Sequence, residues 1–369
     1  MEMELDRVSN LPSDVTEKIL SHLPIRDAVR TSVLSSKWRY KSAMLPHLVF
    51  DCTCTPTANY TVENIVDHVL LSHIGSIHKF KLAQGDLSFR DIDRFDTFKL
   101  RNCMLAPPST FKGFKSLRSL AIEDVSLSQD VLESMISSSQ LESLTLKNCN
   151  GFRHLKIDAP NLQALFFFGV LEEIEILNTL NLVDGYICLQ DVILSRGPCT
   201  SSNVLKFFGN MPLIQRLSIR GDFTKYLATS ALLEKLPKPC LHLQFLTISI
   251  CFNDVEDILT ILCLLGSSPA LEEVEIWAHR GRHYQTVAGK VNSWVDGKNN
   301  QSCSFTRLQH VKIHSFPAVE AALDFVKFLV LNSPALETMT LYHYKDGSDL
   351  ARKLLRFRRA SANLEIILI

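Results

Sequence analysis

From residue 77 onward the chain repeats one short phrase: an apolar residue, two others, an apolar residue, one other, and an apolar residue. It occurs at 77–82, 95–100, 117–122, 141–146, 152–157, 162–167 and 171–176, and again at 214–219, 243–248, 271–276, 308–313, 336–341 and 364–369. The last three positions of each copy predict a short strand with alternate side chains inward, and the first apolar residue packs beneath it. One such unit cannot enclose its own apolar face, whereas stacked units share a continuous core along a wall of parallel strands. Copies between 141 and 180 start only 9–11 residues apart, too close to hold a helix between strands. Those strands are expected to alternate between the main wall and a back wall. Where the spacing is longer, amphipathic stretches at 128–139, 253–268 and 318–333 predict outer helices. The two later ones run into near-duplicate strands, SSPALEEVEIWAH (267–279) and NSPALETMTLYHY (332–344), whose prolines stop the helix. Of the consecutive Phe166, Phe167 and Phe168, alternation sends Phe167 inward and its neighbours outward.

The first fifty residues follow a different period. Leu11, Val15, Ile19, Leu20 and Leu23 recur at helical spacing, with Ser13 or Asp14 as a cap and Asp14 with Glu17 at capping-box spacing. Pro24 disfavours helical geometry at Leu23 and ends this helix. A second helix is expected over about 26–34, turning Ala28, Val29 and Val33 inward. A third, from near Ser36, is expected to bring Trp38 and Leu45 to the same side before Pro46. Three helices this short make a thin core. Leu11, Pro12, Ile19, Leu20, Leu23 and Pro24 present more apolar surface than such a bundle can hide, so another protein is expected to cover the remainder.

Three resemblances follow from these patterns. The phrase, with an apolar or cysteine residue three positions on at Cys103, Val125, Cys149 and Cys251, resembles a loose leucine-rich repeat. Residues 6–51 resemble the F-box motif of plant F-box proteins through Leu11-Pro12, Ile19-Leu20, Leu23-Pro24, TSVLSSKWR (31–39) and Phe50-Asp51. Residues 305–369 resemble the FBD domain through LQHVKI, NSPALE, MTL, ARKLLRFRRAS and a last apolar strand. The chain is thus similar to plant F-box/FBD/leucine-rich-repeat proteins. The resemblance implies an α/β fold: a three-helix F-box (6–51), an irregular leucine-rich-repeat solenoid (77–304) and a C-terminal FBD segment (305–369). It also implies docking of a Skp-type adaptor at Leu11, Pro12, Val15, Ile19, Leu20, Leu23 and Pro24, supported by Val33 and Trp38, with the adaptor joining a cullin-RING scaffold. The 18-residue step across 85–103 is shorter than the family's usual spacing. It points to a lost repeat and disturbed packing near 83–104.

Composition narrows the function further. Lys plus Arg equals Asp plus Glu at 39 each, so no global field recruits nucleic acid or an anionic membrane. Within residues 1–50, seven basic side chains face six acidic ones, which disfavours a helix-turn-helix DNA reader. The amino end lacks the apolar core of a signal peptide, and apolar runs such as 258–266 fall short of a membrane span. Ten cysteines without a CxxC pair read as reduced, buried thiols, so cytoplasm or nucleus is the expected location. No phosphate-binding, hydrolase-elbow or zincin motif occurs, and no cofactor is expected. His279 with His283, and Cys52 with Cys54, lack the companions of a metal site. His310 and His314 fall on one face of a strand. The basic stretch 351–360, with Lys345 upstream, reads as a helix whose solvated outer face covers Leu354, Leu355 and Phe357; an acidic target docked there is the alternative. The expected function is a non-catalytic substrate receptor, with an interaction scaffold of weak or lost adaptor binding as the alternative. The protein target is not legible in the sequence.

Overall fold

Each apolar phrase becomes a short strand, and all but those at 152–157 and 171–176 are rungs of parallel pairing. The computed structural model describes residues 11–33, 38, 40–50, 62–74, 77–83, 96–102, 113–114, 116–190, 207–221, 223–227, 236, 238–279, 304–343 and 348–369. Expectations touching Ser36, Asp51, Cys52, Cys54, Cys103, His283 and Lys345 lie outside the described residues. The chain divides into two units, residues 1–162 and 163–369.

Unit 1 opens with helices α1 (Ser13–Ser21) and α2 (Ile25–Arg30), then 3-10 turns at Thr31–Val33 and Ser42–Met44. Strand β1 (His47–Phe50), helix α3 (Val62–Ser72), β2 (Lys79–Leu82), β3 (Thr97–Arg101), β4 (Ser119–Glu123), α4 (Gln129–Ile136), β5 (Ser143–Lys147) and β6 (His154–Asp158) follow. Strands β1 to β5 pair in sequence order, all parallel. The ladder therefore begins earlier than residue 77. Leu45, Leu48 and Phe50 form a first copy of the phrase, and all three are buried. The disturbed packing expected near 83–104 does not reach the two strands: β2 and β3 are direct neighbours, with Phe80 opposite Phe98 and Leu82 opposite Leu100. Their rings reinforce the register, since Phe80 stacks on Phe98 with centroids 5.5 Å apart and Phe98 meets Phe114 at 4.9 Å. Strand β6 stands outside this ladder, as the short spacing predicts.

Unit 2 contains β7 (Ala164–Gly169), β8 (Glu173–Leu177), β9 (Asp184–Leu189), β10 (Arg216–Gly221), α5 (Phe223–Leu227), β11 (Phe245–Ile250), α6 (Val255–Gly266) and β12 (Glu273–Ala278). It closes with β13 (His310–His314), α7 (Glu320–Asn332), β14 (Thr338–Leu341), α8 (Ser348–Leu355) and β15 (Glu365–Leu368). Here β7 pairs directly with β9, skipping β8, and β9 to β15 follow in order. The alternation of walls is thus present in this unit too. Strand β9 escapes the sequence pattern because Gly185 takes the middle apolar position after Leu182. A side chain there would approach Leu217 Cδ1 to 3.2 Å and Ile214 Cδ1 to 3.5 Å, so neighbouring rungs already fill that space.

Two backbone devices recur. The carbonyl just before a strand accepts two N–H groups from the next rung: Gln244 O from Glu272 and Glu273, Glu272 O from Gln309 and His310, Gln309 O from Glu337 and Thr338. After the last inward residue, the chain turns through a left-handed residue. Asn102, Asp124, Asn148, Asn178 and Ser315 have φ of 50–54°, and Asn and Asp tolerate that region best among residues with a Cβ. The following residue then drops inward, which explains buried Val125, Cys149, Thr179 and Phe316. In β10 the same place is held by Gly221 at φ +66°, where a Cβ would sit 1.9 Å from Leu189 O. Helix α6 is capped by Asp254, whose side chain accepts from Glu256 N at 3.0 Å. The basic stretch expected as one helix over 351–360 is corrected: α8 ends at Leu355, and Arg359 Nη1 instead donates to Leu364 O at 3.0 Å. Leu354 is buried as expected, but Leu355 is exposed.

Candidate functional site

The front module begins with a proline-bounded helix. Helix α1 starts earlier than the expected Ser13 or Asp14 cap would set it, and no side-chain bond is made at its cap position. Pro12 occupies the cap position, and its carbonyl accepts both Thr16 N (3.0 Å) and Thr16 Oγ1 (3.1 Å). Pro24 does the same service for α2, accepting from Asp27 N and Ala28 N at 2.9 and 3.0 Å. Both prolines fit here because a missing N–H costs nothing before a helix.

These start points set the helical phase, and the phase divides the apolar residues into two stripes. Thr16 and Leu20 point into the module and are buried, as are Ile25, Ala28, Trp38, Ser42 and Leu45. Val15, Ile19 and Leu23, each four residues apart, form the outer stripe and stay 39%, 42% and 39% accessible. Leu11 is half-buried, while Pro12 and Pro24 are exposed at either end of that stripe. Leu20 and Trp38 therefore lie inside the module as its backing, not on the outer stripe. Val33 was expected inward; it is 84% accessible instead, because α2 gives way to a 3-10 turn at Thr31 and the helical phase is lost. The third helix is likewise reduced, among the described residues, to the turn Ser42–Met44, which still leaves Trp38 and Leu45 enclosed. Helix α2 packs on that turn and on β1, so the module is joined to the first rung of the ladder.

The outer faces of the ladders form a second class of surface. In unit 2, Phe166 stacks on Tyr186 with centroids 4.4 Å apart and planes 7° from parallel. Phe167 between them in sequence is buried, as alternation predicts. Trp277, His314 and Tyr342 stack across β12, β13 and the end of β14, at 4.1 and 4.5 Å. The Arg220 guanidinium lies 4.1 Å from the Trp277 ring centre. It reaches across Ser249, which faces the same way and is buried. Charges here are paired. Arg216 donates to Asp184 at 2.7 Å, Lys312 to Glu273 at 2.6 Å, and His314 Nε2 lies 2.7 Å from Glu275 Oε1, off the line of a good hydrogen bond. The Glu273 hydrogen bond, with its charge, pushes the Lys312 pKa up. His310 shares the face of His314, as expected, and its Nδ1 lies 2.9 Å from Thr338 Oγ1.

In unit 1 the outer row is different. Lys79 and Lys81 alternate on β2, and Lys81 faces Lys99 across β3. Sequence reasoning weighed the chain's overall charge, the first fifty residues and the basic stretch 351–360 and missed this cluster, although Lys-x-Lys within a strand is a legible signal for one face.

Among the described residues no three His, Cys, Asp or Glu side chains converge as a metal site would require. Burial pushes the thiols of Cys149 and Cys240 up to about 11 and that of Cys263 upward. These are packed thiols rather than nucleophiles.

Comparison with known proteins follows the same division. A family model described as the F-box domain matches residues 8–49, and one described as the At1g61320/AtMIF1 LRR domain matches residues 59–362. The chain is similar to F-box/FBD/LRR-repeat protein At1g13570 of Arabidopsis thaliana, 31% identical across 99% of this chain and 98% of that protein. It is 25% identical to F-box/FBD/LRR-repeat protein At5g56420 of the same plant, across 90% of each. It is also 25% identical to F-box/LRR-repeat protein At3g59250, across 99% of this chain and 97% of that one.

Proposed function

The chain belongs to the plant F-box/FBD/LRR-repeat family, and from that premise we propose that it is the substrate receptor of a cullin-RING ubiquitin ligase. Its front module docks a Skp-type adaptor, which joins the cullin scaffold, and its ladder presents a protein target. The work is done by proximity: holding a target lysine beside a charged conjugating enzyme raises its effective concentration. No residue of this chain need make or break a bond, and the reading carries a cytoplasmic or nuclear location with it.

The observation that supports this reading best is the outer stripe of α1. Val15, Ile19 and Leu23, bounded by Pro12 and Pro24, remain accessible although Leu20 on the same helix is wholly enclosed. These three side chains are already more than half covered, so covering the remainder contributes roughly 0.6–1.2 kcal/mol each against an association cost of about 4–15 kcal/mol. Most of the stripe, together with exposed Val33, is therefore needed for a stable complex.

Capture of recombinant Skp-type adaptor by the full chain tests the proposal. Ile19→Asp should abolish capture while leaving thermal melting near that of the wild type. Leu20→Ala should instead lower stability by about 2–5 kcal/mol. Undiminished capture by Ile19→Asp, and by a Leu11→Ala, Pro12→Ala double variant, would leave an interaction scaffold in place of a ligase receptor.

A further inference from the structure

We infer that the unit 1 ladder docks an acidic, extended segment of the target protein on Lys79, Lys81 and Lys99. This rests on the receptor reading above and names the class of target chemistry. The three lysines occupy neighbouring places on one face. Lys79 and Lys81 are two residues apart on β2, so their Cα atoms are separated by about 6.6 Å, and Lys81 faces Lys99 on β3 at about 4.8 Å. All three are half-buried, and among the described residues none is held by a carboxylate. Two ammonium groups facing each other across adjacent strands oppose the pairing of those strands. The ladder keeps them there despite that repulsion.

The floor beside them is small and neutral. Lys99 faces Ala121, and Ala121 faces Thr145, while the row below continues from Lys79 through Thr97 to Ser119. An extended chain can therefore lie close to the sheet. Carboxylates at alternate positions of such a chain repeat at the same spacing as Lys79 and Lys81, which matches an Asp- or Glu-rich segment. Nucleic acid is the competing polyanion. The observations favour the peptide, because the patch is about two strands wide and the adjoining outer row carries Glu123, near Arg101 at 3.7 Å, rather than a basic track long enough for a phosphate backbone.

Fluorescence anisotropy with a labelled peptide of alternating Glu and Ser, titrated with the full chain, tests this. The wild type should bind, with affinity falling as salt rises. Combined Lys79→Glu, Lys81→Glu and Lys99→Glu should weaken binding by about tenfold or more. The milder pair Lys81→Gln, Lys99→Gln should also lose most binding while melting no lower than the wild type. Both variants should still capture the Skp-type adaptor, so failure here is separable from failure of the receptor reading. The inference is overturned if the wild type does not bind the peptide, if the variants bind it as the wild type does, or if a single-stranded oligonucleotide of equal charge binds as tightly and displaces it.

Discussion

The outer rows of the two ladders grow from one alternation, yet the lysines of β2 and β3 in the first row have no counterpart among the paired charges of the second. In unit 2 the charges are neutralised within the ladder: Asp184 holds Arg216, Glu273 holds Lys312, Glu275 faces His314, and Arg220 lies on Trp277. In unit 1, Lys79, Lys81 and Lys99 sit side by side over a floor of Thr97, Ser119 and Ala121. The first face contributes to holding its own strands in register. The second does the reverse and gains by meeting an opposite charge. A strand's outer positions are free of the packing constraint on its inner ones, so the same repeat can carry either design.

The largest test of that contrast is Trp277→Ala. It removes the stack with His314, the Arg220 contact and the cover over Ser249, and should lower stability by roughly 2–4 kcal/mol, read as a shift of the urea midpoint. An unchanged midpoint would mean the stacked face contributes nothing. Arg216→Ala should cost less, about 0.5–1 kcal/mol, because its pair with Asp184 is largely exposed. Lys81→Gln should move stability by only a few tenths of a kcal/mol, and upward, by relieving Lys99. A loss there would show that the lysines are held by something other than their own strands. Finally, alkylation should separate inner from outer positions. With pKa values near 11 from burial, Cys149 and Cys240 are thiolate to about one part in a thousand at pH 8. Mass spectrometry should find both unlabelled in the native chain when half-exposed Cys188 has already reacted. Because burial raises these pKa values, any stability they link to pH is present below the unfolded thiol's pKa and falls as pH climbs from there toward 11.

The strands were legible because burial on one face imposes a strict period on the sequence. Two rungs escaped it for specific reasons. At β9 a glycine, Gly185, stands where an apolar side chain is expected, since Leu217 and Ile214 occupy the space. At β1 the residues Leu45, Leu48 and Phe50 serve the ladder although Leu45 and Leu48 also lie within the F-box match, so a boundary drawn between the two conceals the first rung. In the front module the apolar residues were evident but their division was not. Helical spacing groups Leu20 with Ile19 and Leu23, and only the phase set at Pro12 sends one inward and the others out. Val33 was misread because a 3-10 turn breaks that phase.

What the sequence determined by itself was therefore the set of residues that must leave water: a repeated inward triplet for nearly every strand and a helical surplus at the amino end. That set follows from hydrophobicity and period, which are local properties of the chain. The tertiary structure decided which strands are neighbours, and with that which outer side chains meet. Lys81 and Lys99 are eighteen residues apart in sequence and face to face in the ladder, while Arg220 reaches Trp277 across an intervening strand. Register between strands is set by long-range packing and shared carbonyls rather than by any local preference, so the charge pattern of each face exists only once the rungs are stacked.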